Sequence, residues 1–280
     1  MPNYFPTVLQ NSVRHWQIAG IVYLLQTGLA ITLGMQVHGV LQTSIGSSLE
    51  LNRLMSGYDH TVMTDFLKVH GASITPLIGQ LRWLLLVWLA FSVFLHGGLI
   101  HCAAIPTKPK ISDFWLGGSR HYLSFLQVSG VMLMLALLWT SMLWLPVLMS
   151  LQWSLEYFSS EIISVWAVVL ISLVYLAGLA VIYLWSILVR MDIIRENNSL
   201  LRALVKGLKM LFQQKMPLVK LFSGYALLQF LVIALYWSLD ALIGMCTPTG
   251  IALLFLAQQL FVYLRILLQS GLYRTINLRF

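Results

Sequence analysis

Apolar residues run along this chain in six long blocks, near 16–37, 81–101, 124–147, 162–188, 218–239 and 251–272. Each is close to the roughly 20 residues that a helix needs to span about 30 Å of hydrocarbon. The pattern predicts an all-α polytopic protein, a single integral membrane domain over 1–280 with six transmembrane helices.

Polar positions gather between the blocks, and three of these segments carry a pattern of their own. The longest runs over 38–80 and contains ELNRLMSGYDHTVMTDFLKVHG. Leu54, Tyr58, Val62 and Phe66 recur at every fourth position, flanked by Met55, Met63 and Leu67. That period predicts an outer helical segment with one apolar face, a candidate docking face for a partner helix. Gly57 and the Tyr58–Asp59 pair divide it, with Asp59 or Thr61 as the cap of its second half. The other two segments read SDFWLGGSRHYLSF (112–125) and NSLLRALVKGLKMLF (198–212). Each opens on an N-cap residue, Ser112 or Asn198. Each then places a glycine two residues before a base, Gly118 with Arg120 and Gly207 with Lys209, and leads into the next apolar block. Both are expected to be amphipathic helices on the inner membrane surface, before transmembrane helices 3 and 5, which would make helices 2–3 and 4–5 a pair of parallel repeats.

Composition agrees with the pattern. The chain is 59% hydrophobic and only 9% charged, where a soluble domain carries about 25% charge. Its net charge of +8 raises the question of nucleic acid, and the positions of the bases answer it. Arg14, Lys108, Lys110, Arg120, Arg190, Arg195, Arg202, Lys206, Lys209, Lys215, Lys220, Arg274 and Arg279 fall on one side of the threading. Only Arg53, Lys68 and Arg82 fall on the other. This is the positive-inside bias, which places both termini in the cytoplasm and lays the basic loops against an anionic inner leaflet. Arg14 and His15 precede the first block as in a signal peptide, but that block exceeds an h-region of about 7–15 residues and ends in no cleavage pattern. It is expected to be a retained helix. Trp16, Trp83, Trp144, Trp153, Tyr157, Trp237 and Tyr273 sit near block ends, as an interfacial aromatic belt requires.

Polar side chains inside the blocks are the candidate functional residues. Gln26, Gln229, Gln258 and Gln259 fall at about the same depth, where an unpaired amide is costly, so they are expected to turn toward one another as interhelical glue or as a polar site. Arg265 follows Gln258 by seven residues on the same helix face, with Gln269 one turn further. Its guanidinium either snorkels to the inner interface or, with His96 and Gln127, lines a site for an anion or lipid head group.

GYDHTVMTDFLKVHG, FWLGGSRHYLSF and QQLFVYLRILLQSGLYR together resemble segments of uncharacterised bacterial six-helix multi-pass membrane proteins. These are similar to the membrane domain attached to some glycerophosphodiester phosphodiesterases. The resemblance covers about 50–280 and implies a helical membrane domain in a bacterial inner membrane, not an activity. No catalytic, phosphate-binding or dinucleotide motif is present, Cys102 and Cys246 have no metal-type spacing, and His60, His70, Asp59 and Asp65 spread around a helix rather than converge. No metal, cofactor or nucleic acid is therefore expected. The expectation is a non-enzymatic accessory or assembly component acting through a membrane protein partner. Its rival is a transporter or lipid-handling protein with the Arg265 site.

Overall fold

The computed structural model describes residues 4–45, 60–157, 161–196, 198–243 and 247–279, and every regular element among them is an α-helix. In chain order these are α1 (Tyr4–Arg14), α2 (Trp16–Ile45), α3 (His60–Ala104), α4 (Ile111–Arg120), α5 (Tyr122–Tyr157), α6 (Glu161–Glu196), α7 (Leu200–Gln213), α8 (Lys215–Ile243) and α9 (Pro248–Arg279). Six of them, α2, α3, α5, α6, α8 and α9, are long and apolar enough to cross a membrane, and each contains one of the six sequence blocks. Apolar side chains such as Leu138, Met142, Trp166 and Leu170 stay exposed on α5 and α6. In water that would be untenable; in hydrocarbon it is the expected outer surface.

The ends of these helices depart from the sequence reading. Of the segment 38–80, residues 38–45 continue α2 and residues 60–80 form the start of α3, while 46–59 lie outside the described residues. Val69, Ile74, Leu77, Ile78 and Leu81 carry an apolar helical spacing across the expected boundary, so the backbone ladder continues into the span. At 45 residues α3 is roughly 67 Å long, more than twice the hydrocarbon thickness, so part of it projects beyond a bilayer. Of the expected docking face, Leu54 and Tyr58 lie outside the described residues, as do Asp59 and Cys246, while Val62 and Phe66 fall on the first two turns of α3.

The chain forms two compact units, each described by itself: Met1–Gly118 with Lys220–Phe280, and Ser119–Val219. In the first, α4 folds back on the end of α3. Phe114 is fully buried, and its ring meets Phe94 edge-on at 6.2 Å. Gly118 lies so close that a Cβ there would come within 2.7 Å of the Phe94 ring. In the second, α7 folds back on the end of α6. A Cβ at Gly207 would meet Val189 Cγ2 at 2.8 Å, and the Trp185 indole N–H donates to the Leu204 carbonyl at 3.1 Å. The two glycines picked out by sequence thus do the same job, letting a short helix press on the long one before it. The N-cap positions differ from expectation, by two residues for α4 and by one for α7. α4 starts at Ile111, with the Asp113 carboxylate accepting from the Lys110 N–H at 2.8 Å. Ser199 takes the N-cap position of α7 without a side-chain capping bond, while Asn198 is drawn into side-chain contacts described below.

Candidate functional site

In the first unit every residue of α9 from Ser270 to Ile276 is buried, the longest such run among the described residues. One side faces α1. Val8 and Ser12 are 1% exposed, and the Asn11 amide donates to the Thr275 hydroxyl at 3.1 Å. The other side faces the end of α3, whose final carbonyls have no partner within their own helix. The Asn277 amide donates to the Ala103 carbonyl at 3.2 Å. Arg274 donates through Nη1 to the Ile105 carbonyl at 2.7 Å and through Nη2 to the Pro106 carbonyl at 3.2 Å. Arg14, the last residue of α1, reaches the same Pro106 oxygen at 2.9 Å. Two guanidinium groups therefore share one carbonyl at the end of α3.

One to two turns earlier on α9 lies a neutral polar cluster. His96 Nδ1 is 2.7 Å from the Ser92 carbonyl, which can only accept, so Nδ1 carries the proton and Nε2 accepts from the Gln269 amide at 3.2 Å. The same amide donates to the Tyr273 hydroxyl at 2.7 Å. His96 is thus matched with Gln269 and Tyr273. Arg265 is exposed, and Gln127 is exposed on α5, in the other unit.

The four glutamines do not bond to one another. Gln259 accepts from the Tyr23 hydroxyl of α2 at 2.8 Å, a link reinforced one turn later by Tyr263, which donates to the Trp16 carbonyl at 3.1 Å. Gln229 donates to Tyr225 on its own helix at 3.1 Å. Gln26 is half-buried, and Gln258 points outward. The place of each glutamine along its helix was readable from sequence, but the rotation of each helix, which decides who meets whom, was not.

The second unit holds an ionic clamp that the sequence reading missed. Asp192 on α6 is 4% exposed and pairs with Lys206 of α7 at 2.7 Å. Lys206 also bonds Glu196, and the Asn198 amide donates to Asp192 at 2.8 Å and to Glu196 at 3.0 Å. Nearby, Arg190 lies over the Phe125 ring at 5.7 Å and donates to the Ser129 hydroxyl at 2.9 Å. The available signal was the pair Asp192 and Glu196, four apart on one helix face, followed by a lysine on the next helix.

His15, between α1 and α2, is 2% exposed, and its Nδ1 lies 3.0 Å from the Asn11 carbonyl. Burial holds its imidazole below the ordinary histidine range against the pull of the Asn11 carbonyl, and the Arg274 and Arg14 charges add to the depression. A depressed base is neutral when docked and takes up a proton more readily when released. The docking of α1 is therefore at full strength above the ordinary value near 6.5 and weakens as pH falls below it. Thermal unfolding in mild detergent checks this. The loss of midpoint between pH 7.5 and 5.5 is expected to shrink in His15→Leu; an unchanged loss would assign the acid sensitivity to other groups.

No protein-family model, curated protein or solved structure matches this chain.

Proposed function

We propose that this chain is a non-enzymatic accessory or assembly component of a membrane, acting through another membrane-spanning protein. The observation that carries this reading is Gln258. It sits near the middle of the apolar block of α9, is exposed, and makes no hydrogen bond to a described residue. A free amide in hydrocarbon costs several kcal/mol, and a polar group on a neighbouring helix removes that cost. Arg265, seven residues on, is exposed on the same face, which suits a stem that reaches the interface past a partner. The setting we propose is a bacterial inner membrane with both termini cytoplasmic. There the exposed Arg120, Arg202 and Lys209, beside exposed Trp115, Leu201 and Phe212, would seat the short helices on an anionic leaflet.

The test is a photo-crosslinking amino acid at Phe255, exposed one turn from Gln258, in cells of the native host. A discrete protein adduct that falls at least tenfold in Gln258→Leu, at equal expression, is the expected result. Adducts to lipid alone, or a protein adduct indifferent to Gln258→Leu, would overturn the reading.

A further inference from the structure

We infer that Arg14 and Arg274 form a binding site for a phosphate group, presented by an anionic lipid or by free phosphate, at the end of α3 in the first unit. The inference does not rest on the partner reading, since it uses other residues.

A helix C-terminus such as that of α3 carries roughly half a negative charge, and one cation answers it. Here two permanently charged guanidinium groups converge on one oxygen, within 3.2 Å of it. Neither forms an ion pair with a described carboxylate. The nearest acid in sequence, Asp113, accepts instead from the Lys110 backbone. Exposed Lys108 and Lys110 in the connection between α3 and α4 add to the imbalance. The site is therefore left more than one positive charge in excess, an excess that backbone carbonyls cannot neutralise.

Geometry says where the anion would enter. Arg274 is 3% exposed, its two terminal nitrogens are committed to carbonyls, and its Nε is buried with no partner among the described residues. Arg14 is exposed and uses one terminal nitrogen on Pro106, leaving its other donors without a partner among the described residues. Arg14 thus forms the outer lip over an inner, under-used guanidinium. Planar donor forks of this kind suit the paired oxygens of a phosphate better than they suit a lone carbonyl. The site also lies where two apolar helices, α3 and α9, come to their ends, the depth at which a bilayer presents its phosphates.

The experiment uses the full chain, stripped of lipid in detergent and titrated with phosphatidylglycerol or with inorganic phosphate, binding being read by native mass spectrometry. Wild type is expected to retain one phosphatidylglycerol at least tenfold more tightly than Arg14→Gln, a substitution at an exposed side chain that leaves the α1 core intact. If inorganic phosphate alone shows this difference, the ligand is the free anion; if the lipid alone does, it is the head group. Lys108→Gln with Lys110→Gln is the control for diffuse charge. Equal binding by wild type and Arg14→Gln, or an equal loss in the lysine control, would overturn the site and leave the arginines as a clamp on the α3 carbonyls.

Discussion

Gly271→Ala is expected to destabilise the protein by about 1–3 kcal/mol, the cost of forcing a methyl group into a packed contact. In an exposed helix interior the same change would stabilise by roughly 1 kcal/mol, because alanine is the better helix former. The sign reverses here because α1 and α9 touch at this residue. A Cβ on Gly271 would sit 2.0 Å from Ser12 Oγ and 2.6 Å from the Val8 carbonyl oxygen. Ser12 cannot simply turn away, since its hydroxyl donates to that same carbonyl at 2.8 Å. The backbone of α1 must move, and it would loosen Asn11 from Thr275 and Arg14 from Pro106 with it. Gly34→Ala on α2 is the control, because nothing lies within 4 Å of a Cβ there. Adding Ser12→Ala to Gly271→Ala should recover only part of the loss, as the Val8 oxygen remains. A thermal midpoint that rises in Gly271→Ala would mean that α1 does not dock against α9 in solution.

The same contact shows how far a linear reading reaches. The six apolar blocks are a property of the chain itself, so the six long helices were legible, down to α2 starting at Trp16. α1 was not. Its buried positions, Val8 and Ser12, are one small apolar residue and one serine, and they become a packing face only because Gly271 leaves room for them. Arg265 drew notice because it interrupts an apolar run, yet it is exposed. Arg274, outside that run, is the arginine that tertiary packing buries. His96 drew notice as a polar group inside an apolar block; it is set against the Gln269 amide and the Tyr273 ring, four residues apart on α9. Sequence shows depth and charge excess; partner choice depends on helix rotation, which six nearly uniform apolar helices encode only weakly.

In the second unit Lys206→Met is expected to lower the thermal midpoint by about 5 °C or more, well beyond what Glu196→Gln does. The two acids differ in what they lose. Glu196 is exposed, so water replaces the lysine. The Asp192 side chain is only 3% exposed and would keep Asn198 alone as a neutral donor, leaving a buried charge without a cation. If that is the cause, Asp192→Asn added to Lys206→Met should restore most of the midpoint, because removing both charges is far cheaper than removing one. Lys206→Arg should lose little if the clamp needs only a cation. The pH response follows from the same contacts. Hydrogen bonds to Asp192 and then Glu196 hold the Lys206 ammonium above its ordinary range. A raised base contributes its stability in full below the ordinary lysine value near 10.4 and loses it only as pH rises beyond that. The difference between wild type and Lys206→Met should therefore be flat from pH 7.5 to 9, above the ordinary histidine range and so clear of buried His121. A difference that changes within that window, or a double variant no better than Lys206→Met, would show that α7 is held by the Gly207 contact and the Trp185 hydrogen bond rather than by charge.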